Sequence, residues 1–511
     1  MLTTFPPLDR HHPAMAKTDD SERIEPRASS LIPSLRSVGY SLSTAVADII
    51  DNSIAAASRN VWVRAEWDGE SSFFSITDDG CGMTESALTE AMRWGSRSPQ
   101  EPRASSDMGR FGLGLKTASF SQCRRLTVLS KTRSSDPAVR CWDLDYINSC
   151  HDWMLLRSVD RNTMSLLKLA PDSSSGTVVL WQRLDRVVPS GTRGDNKKAQ
   201  ARFLQQLEDV KKHLAMVFHR FLEQGTLKIW FNENAVEPWS PFLVSHEATQ
   251  RLPEERFGDK GCQVFVRPNV LPHVSKLSKQ AHEAGSGPEG WNAQQGFYIY
   301  RNRRMLVAGD WLGLGFQKEE HYKLARIGVD LPNLLDEDWD IDIKKSRARP
   351  PDQLRPDLRR IAEATRRRAA EVYRHRGKIV ARGSETIVFM WVRQVKSGKF
   401  YYTINREHPL VREILSEAGP SRKAARALLR LLEETVPVPA ILIDGFEKPE
   451  QHAEPFESAS PDDVREVAIA IIEVLRKQGL NRAQAKARLI SMEPFPNYPE
   501  IVEEALEQFR A

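Results

Sequence analysis

No apolar run in this 511-residue sequence approaches the ~18 residues that a membrane-spanning helix requires. Its beginning, MLTTFPPLDRHHPAMAKTDD, also lacks the apolar core of a signal peptide. We therefore expect a cytoplasmic protein without a membrane partner. With 40% hydrophobic and 28% charged residues the composition is that of a globular protein, and at roughly 100–200 residues per domain the length predicts about three domains.

Cysteine is scarce, and its pattern excludes two kinds of site. The five cysteines are scattered, odd in number and free of CxxC spacing; they are Cys81, Cys123, Cys141, Cys150 and Cys262. A disulfide framework needs paired cysteines, and a structural zinc site needs closely spaced ones. The sequence therefore predicts neither.

Net charge is also low, because 73 basic residues oppose 68 acidic ones and leave +5. This sum hides a local excess between positions 359 and 382, where nine basic residues face two acidic ones, a local charge of +7. Such a stripe can neutralise several phosphates of a nucleic acid. We take Arg366, Arg367 and Arg368 as candidate DNA contacts; the alternative is a solvated helix whose arginines cover apolar surface.

Periodicity divides the chain into segments. Residues 1–30 are polar and interrupted by proline, which predicts a mobile leader, and translation starting at Met15 is an open alternative. Apolar residues within 41–58 recur at helical spacing, which predicts a helix. Residues 61–67 and 72–77 are predicted to form two strands of a hairpin joined by Asp68-Gly69. A lid is expected over 83–108. A strand at 226–231 is expected to open a second α/β unit, and mixed, mainly helical structure is expected after 384.

The first chemical motif is the pair Asp48 and Asn52. Their i, i+4 spacing places a carboxylate and an amide on one helix face. The carboxylate can take a proton from water, and the amide oxygen is a hard ligand suited to Mg²⁺. Alone, the pair is also typical of a solvated helix face.

The second motif, Asp78-x-Gly80-x-Gly82, follows directly on the second strand of the hairpin. A carboxylate at a strand end can accept a hydrogen bond from an exocyclic amine such as that of adenine. Glycines let the backbone approach a flat ring closely. An ordinary Asp/Gly turn gives the same pattern.

The third motif is Gly109-x-x-Gly112-x-Gly114, followed by Lys116 and Thr117. The N–H groups of a glycine loop that opens a helix bind phosphate, and a lysine adds charge. A Walker loop is disfavoured because Leu115 separates Gly114 from Lys116, so the spacing fails by one residue. A dinucleotide-binding loop is disfavoured because no strand precedes this one.

Together with Gly176-Thr177 at the start of a later strand, these motifs resemble, in this order, the Bergerat nucleotide-binding fold of the GHKL superfamily, which contains gyrase, heat-shock chaperones, histidine kinases and MutL. The resemblance implies an α/β (α+β sandwich) fold with ATP and Mg²⁺ as ligands. It implies that Asp48 is the catalytic acid/base and Asn52 the Mg²⁺ ligand. The remaining ATP-binding positions that it implies are Asp78, Gly80, Gly82, Met83, Gly109, Gly112, Leu113, Gly114, Leu115, Lys116, Thr117 and Thr177.

The sequences DIIDNSIAA, RWGSRSP and GRFGLGLKTASFSQC look most like MORC and MutL-type ATPases, in which a transducer domain follows the ATP-binding domain. The resemblance then implies an ATP-binding domain at 31–224, a transducer at 225–383 and a C-terminal domain of unknown role at 384–511. In DIDIKKS, a lysine is implied to reach the γ-phosphate; we favour Lys345, with Lys344 open.

The family uses ATP to close a lid and bring two copies together, so the resemblance implies an ATP-dependent homodimer. It also implies a slow Mg²⁺-dependent ATPase that acts on DNA or a DNA-bound partner in repair, restriction or defence. Asp48 stands where most hydrolysing members have Glu, and its shorter reach keeps a non-hydrolysing nucleotide sensor or chaperone-like module as an alternative. A histidine kinase is the other enzyme alternative. It would need a phospho-accepting helical hairpin before Ser41, where the sequence is short and polar.

Overall fold

The computed structural model describes most of the chain. The described residues are 28, 31–32, 36–37, 39–95, 114–171, 173–258, 262–335, 338–342, 348–374, 390–396, 399–438, 456, 459–492, 494–495 and 498–507. The chain divides into two compact units. The first comprises residues 1–271, 277–318 and 323–368, and the second comprises 272–276, 319–322 and 369–511.

The first unit contains a seven-stranded sheet in the order β4-β3-β5-β2-β1-β6-β7. Its strands are β1 (Asn60–Glu66), β2 (Phe73–Asp78), β3 (Arg125–Lys131), β4 (Ala138–Asp143), β5 (Gly176–Gln182), β6 (Lys228–Phe231) and β7 (Asn234–Ala235). The predicted hairpin is confirmed, because β1 and β2 pair antiparallel with Glu66 opposite Phe73. Strands β2 and β5 also pair antiparallel, which sets Asp78 opposite Thr177.

The helices of this part are α1 (Leu42–Ala55), α2 (Glu85–Met92), α3 (Gly114–Phe120), α4 (Leu144–Cys150), α5 (Arg161–Leu166), α6 (Lys197–Val217) and α7 (His219–Glu223). Helix α1 begins at Leu42 because the Ser41 side chain accepts a hydrogen bond from the amide of Thr44. Its apolar stripe, which includes the fully buried Val46 and Ile50, joins the main core. Burying this stripe leaves the polar face of α1 for the site.

Strand β6 departs from the sequence-based expectation. We expected it to open the second α/β unit, but it pairs in parallel with β1, setting Ile229 beside Val61. Both side chains are buried in the main core, so apolar burial places the strand in the first sheet.

A second sheet of the first unit has the order β12-β11-β13-β10-β8, with β9 also paired to β10. Its strands are β8 (Gln250–Arg251), β9 (Glu255–Phe257), β10 (Val264–Val270), β11 (Gly296–Arg301), β12 (Arg304–Asp310) and β13 (Ala325–Leu331). Two helices accompany it in sequence, α8 (Lys279–Ser286) and α9 (Arg355–Arg374), of which residues 355–368 belong to this unit. The expected α/β class is therefore confirmed: sheets and helices are mixed throughout this unit.

The second unit contains a two-stranded hairpin and several helices. Its elements are β14 (Trp391–Lys396), β15 (Lys399–Ile404), α10 (Pro409–Glu417), α11 (Arg422–Glu434), α12 (Pro461–Lys477), α13 (Arg482–Ile490) and α14 (Pro499–Glu507). Helices α12, α13 and α14 share a small core that includes Ile471, Leu489 and Val502. The expected mainly helical C-terminal region is confirmed for the described residues.

No helix within the described part of the chain combines the length and apolarity needed to cross a membrane. The expected leader at 1–30 falls almost entirely outside the described residues. The domain limits 31–224, 225–383 and 384–511 stay predictions.

Candidate functional site

Helix α1 carries the first pair of candidate residues. The Asp48 side chain is 4% exposed, and its Oδ2 accepts a hydrogen bond from the Tyr40 hydroxyl at 2.9 Å. Asn52, one turn later, is exposed. Its Nδ2 donates to the Asp48 carbonyl at 3.1 Å, which turns the amide oxygen away from that carbonyl. A hard oxygen ligand is thus presented beside a buried carboxylate, which suits Mg²⁺ bound by one or two protein groups and substrate phosphates.

Tyr40 is a site residue that the sequence did not reveal. Burial, and then the charge of Asp48, raise the pKa of its hydroxyl far above the ordinary value, so the hydroxyl keeps its proton and donates to Asp48. Asp342 also raises the pKa of Tyr40, and Thr117 hydrogen-bonds to it. Tyr40 therefore joins α1 to α3.

Asp78 lies at the end of β2 and is 6% exposed. Its Oδ2 accepts from Ser53 Oγ at 3.0 Å, and its Oδ1 accepts from the amides of Gly80 at 3.0 Å and Thr177 at 3.3 Å. Burial nevertheless dominates and raises the pKa of the Asp78 carboxyl. Because Ser53 belongs to α1, this hydrogen bond links Asp78 to the helix that carries Asp48.

The neighbouring Asp79 has a different role. Its Oδ1 accepts from the amides of Arg59 and Asn60 at 2.8 and 2.9 Å, and its Oδ2 accepts from Asn60 Nδ2 at 2.8 Å. These bonds hold the chain entering β1. Of two adjacent aspartates, only Asp78 is directed to the other candidate residues.

Gly80 and Gly82 are required by close contacts of the backbone. A Cβ on Gly80 would lie 2.9 Å from the Ala56 carbonyl oxygen, and one on Gly82, whose φ is +67°, would lie 1.9 Å from the Lys131 carbonyl oxygen. A side chain at either position would clash, so the two glycines allow this loop to pack closely against its neighbours. This requirement adds to the close approach to a flat ring that the sequence predicted. Immediately after them, the amide of Met83 donates to Ser130 Oγ at 2.8 Å.

Ser130 also joins Thr177 to the site, since their hydroxyl oxygens lie 2.8 Å apart. The structure thus brings together four of the predicted positions, Asp78, Gly80, Met83 and Thr177, at the ends of β2, β3 and β5. A serine hydroxyl within a strand carries no sequence signal, which is why Ser130 was not predicted.

Helix α3 provides the described part of the third motif. A Cβ on Gly114 would lie 3.7 Å from Asp48 Oδ2, so this helix begins beside the carboxylate. Leu115 is partly buried against the main core, and Thr117 is buried. Gly109, Gly112 and Leu113 lie outside the described residues, as do Lys344 and Lys345.

Lys116 is 2% exposed, and its Nζ donates to the Ala91 carbonyl of α2 at 2.9 Å. Burial lowers the pKa of this lysine to about 8. In this structure the lysine thus holds the end of α2. Phosphate binding by Lys116 stays a prediction, and it would require the ammonium group to leave this carbonyl.

Helix α2, the described beginning of the predicted lid, is fastened to the sheet. Arg140 of β4 donates to Glu85 at 2.7 Å and to Thr89 at 3.0 Å, and Trp142 Nε1 donates to the Met92 carbonyl at 2.9 Å. Residues 96–108 of the predicted lid lie outside the described residues.

A buried ion pair ties α1 to the second sheet. Arg304 of β12 and Asp51 of α1 approach to 3.3 Å between Nε and Oδ1, and each side chain is 3% exposed. Asp51 is therefore held by Arg304 and cannot stand in for Asp48. It also precedes Asn52 by one residue and so lies about 100° from Asn52 around the helix. The guanidinium of Arg304 also lies over the Phe218 ring, 5.3 Å from its centre.

His213 of α6 adds a pH-sensitive group to this buried pair. Burial, then the nearby charge of Arg304, lower the pKa of His213 to about 3, against an opposing effect of Asp51. The folded protein therefore holds this imidazole neutral where the unfolded chain, with a pKa near 6.5, takes up a proton.

We expect this residue to make the fold less stable in acid. Its contribution is fully present above about pH 6.5 and is lost as the pH falls towards 3, by ~1.4 kcal/mol per pH unit. Urea denaturation of His213→Gln between pH 7 and pH 4 should show a shallower loss of stability than wild type. The exposed His151, replaced by Asn, is the control, and equal slopes for all three proteins would contradict the expectation.

The candidate DNA contacts are unequally placed on α9. Arg366 is 7% exposed and lies over the rings of Trp311 and Phe316, at 5.1 and 4.5 Å from their centres. Arg368 Nε donates to Gln250 Oε1 at 2.7 Å, whereas Arg367 is exposed. Arg366 thus covers apolar surface, which is the alternative that the sequence left open. The positive charge that this helix can offer to phosphates is therefore smaller than the number of its basic residues suggests.

Among the described residues no group of three His, Cys, Asp or Glu side chains could hold a metal ion by itself. The site instead suits a Mg²⁺ ion held by one protein ligand, the amide oxygen of Asn52, which lies beside the Asp48 carboxylate. It fits an adenine through the buried acceptor Asp78 at the end of a strand.

Residues 40–177 match the model of a family described as histidine kinase-, DNA gyrase B- and HSP90-like ATPases. The match begins at Tyr40 and ends at Thr177, so it encloses all four motifs.

Two individual proteins are also similar. An early nodulin-like protein 20 of Arabidopsis thaliana is 27% identical over 82 residues, which is 16% of this chain; the chain spans 50% of the length of that relative. The ATPase and transducer domains of DNA topoisomerase II from Balamuthia mandrillaris align over 64% of this chain and 85% of theirs, with 12% identity and a TM-score of 0.35. A TM-score this low does not establish a common fold.

Proposed function

We propose that this protein, whose residues 40–177 form an ATPase domain of the GHKL superfamily, binds ATP with Mg²⁺ and uses binding and slow hydrolysis to switch between open and closed states. The observation that carries the proposal is that α1 holds both chemical ends of the site. It presents Asp48 and Asn52 itself, and through Ser53 it fixes Asp78.

Asp78 is the adenine acceptor in this proposal. Its carboxylate accepts the exocyclic amine, while Gly80 and Thr177 hold it in place through their amides. Because its pKa is raised, Asp78 is protonated at a higher pH than an ordinary aspartate. A protonated carboxyl is a poorer acceptor for the amine. ATP binding is therefore expected to weaken as the pH falls through that raised pKa.

Asn52 would hold Mg²⁺, which when bound neutralises phosphate charge. Gly109, Gly112 and Gly114 are the proposed phosphate loop, with Lys116 as a neighbouring cation. Lys345, or Lys344, is the proposed γ-phosphate contact. Asp342 supports this, because it precedes Lys344 by two residues and its charge raises the pKa of Tyr40.

Asp48 is the proposed general base. It takes a proton from water as the water oxygen bonds to the γ-phosphorus and the bond to ADP breaks. The Tyr40 hydroxyl holds the carboxylate in one orientation. Because aspartate is one methylene shorter than glutamate, the carboxylate reaches ~1.5 Å less far, and we expect hydrolysis to be slow.

The proposed switch works through a homodimer that ATP brings together, with a transducer at 225–383 and a role in dimerisation or partner binding for 384–511. The proposed target is DNA or a DNA-bound protein. Support for DNA from α9 is reduced by the burial of Arg366, which leaves Arg367 as the exposed member of the three.

Replacing Asp48 by asparagine is expected to abolish phosphate release and leave ATP affinity within about threefold. The asparagine keeps the size and can still accept from Tyr40, but it cannot take a proton from water. Single-turnover phosphate release and titration with a fluorescent ATP analogue measure the two quantities.

Wild-type protein that binds ATP without releasing phosphate would favour the second candidate function, a non-hydrolysing nucleotide sensor. The shorter reach of Asp48 is the observation behind that candidate. Wild-type protein that binds no ATP at all would contradict the proposed function.

A further inference from the structure

The hairpin of the second unit exposes aromatic side chains. Strands β14 and β15 pair antiparallel, with Trp391 opposite Ile404 and Arg393 opposite Tyr402. These four residues therefore belong to one face of the hairpin. Ile404 is buried, but Trp391 is 41% exposed and Tyr402 is 44% exposed.

The two exposed rings stand at a spacing that suits stacked bases. Trp391 and Tyr402 are diagonal neighbours on adjacent strands, a relation that places side chains roughly 7–8 Å apart. Along a nucleic-acid strand, successive nucleotides rise about 3.4 Å, so this spacing is close to two steps. Aromatic rings on adjacent strands of a sheet are a known platform for unpaired bases.

The charge of the hairpin favours a polyanion over an apolar protein. Residues 390–404 contain three basic residues, Arg393, Lys396 and Lys399, and no acidic one. In the register Arg393 is the partner of Tyr402. Aromatic rings together with basic residues are the combination that binds single strands without sequence preference.

The base of the hairpin is held in place. The amide of Asn405 donates to the Met390 carbonyl at 2.7 Å, and the amide of Ile404 donates to Glu433 of α11 at 2.8 Å. Glu433 also forms an ion pair with Arg406 at 2.9 Å. Glu433, which is an acidic residue close to the hairpin, is therefore engaged in fixing it and is 12% exposed.

We propose that the face of the hairpin carrying Trp391 and Tyr402, which we call the aromatic face, binds single-stranded nucleic acid by stacking unpaired bases on these two rings. This inference deepens the DNA-directed part of the proposed function and rests on it, but it is independent of ATP chemistry. It assigns the nucleic-acid contact to the second unit instead of to the arginines of α9.

The test is fluorescence anisotropy of the 511-residue chain with labelled 20-nucleotide oligonucleotides. Single-stranded poly-dT, single-stranded poly-rU and a 20-base-pair duplex are compared at two salt concentrations. We expect both single strands to bind more tightly than the duplex and more weakly at high salt. The two single strands distinguish DNA from RNA as the preferred ligand.

The double variant Trp391→Ala/Tyr402→Ala is expected to lose at least tenfold in single-strand affinity, because it removes both rings on which bases would stack. The conservative variant Trp391→Phe/Tyr402→Phe keeps two rings and should stay within about threefold of wild type. The matched control Tyr146→Ala/Met154→Ala removes two exposed side chains of the first unit, 39% and 45% exposed, and should bind like wild type.

Equal affinity of wild type and the alanine double variant would overturn the assignment of this face. So would a wild type that prefers the duplex or binds no oligonucleotide. A different outcome is that wild type binds no oligonucleotide but self-associates in sedimentation experiments, and that the alanine variant does not self-associate. The face would then contact a second copy of the chain. ATP titration of the same preparations shows separately whether the proposed ATP binding holds.

Discussion

Replacing Asp78 by asparagine is expected to weaken ATP binding by about 10- to 100-fold. The substitution removes the charged acceptor that we assign to the adenine amine, and a hydrogen bond to a charged group contributes ~1.5–3 kcal/mol. Equilibrium titration with ATP measures the effect. GTP provides a second readout, because guanine carries an oxygen where adenine carries the amine, and an asparagine amide can donate to that oxygen. The preference for ATP over GTP should therefore shrink.

The Asp78→Asn protein should remain folded. An asparagine oxygen can still accept from the amides of Gly80 and Thr177, and its amide can donate to Ser53 Oγ, so these three hydrogen bonds can be kept. The raised pKa of Asp78 shows that its buried charge costs stability above that pKa. The variant is thus expected to be at least as stable as wild type at neutral pH.

Asp79→Asn is the matched control for this experiment. Asp79 accepts from Arg59 and Asn60 and makes no hydrogen bond to Thr177 or Ser53 in this structure. Its substitution should leave ATP affinity unchanged. Equal losses of affinity in both variants, or no loss in Asp78→Asn, would show that Asp78 is not the adenine acceptor.

Breaking the buried ion pair between Arg304 and Asp51 is expected to destabilise the first unit by ~3–5 kcal/mol, because a buried charge then loses an ion-pair partner away from water. Arg304→Met keeps much of the side-chain volume and removes the charge. The urea midpoint of unfolding, followed by tryptophan fluorescence, measures the loss. Combining Arg304→Met with Asp51→Asn should restore part of the stability, because no uncompensated charge then remains in the pair.

Arg303→Met is the control, since Arg303 is adjacent but exposed, with its guanidinium 4.5 Å from the centre of the Phe221 ring. We expect a change of less than about 1 kcal/mol there. An Arg304→Met protein as stable as the Arg303→Met protein would mean that the ion pair contributes nothing to the fold. The pair also fixes α1 to β12, so Arg304→Met should lower the rate of phosphate release more than it lowers ATP affinity.

Much of the candidate site could be predicted from local pattern. Asp48 and Asn52 were recognisable because a helix places residues four apart on one face, and the apolar stripe of α1 predicts that helix. Asp78 was recognisable because it follows an apolar strand and precedes two glycines. Such signals lie within a few residues of one another, so neighbouring positions in the chain suffice to read them.

Other features could not be read because they join residues far apart in the chain. Tyr40 has no periodic signal, and its role depends on burial beside Asp48 and on Thr117 and Asp342. Arg366 looked like a member of a basic surface, but it is buried over two aromatic rings. Its charge was visible in the sequence, while its neighbours were not.

The sequence by itself determined the α/β class, the helix with Asp48 and Asn52, the hairpin that ends at Asp78 and the order of the four motifs. Each depends on contacts between residues near in sequence or on residue type at fixed spacing. The tertiary structure decided that β6 joins the first sheet, that Arg304 pairs with Asp51 and that Lys116 holds the end of α2. These outcomes follow from burial of apolar surface and pairing of charges away from water, which depend on the folded chain as a whole.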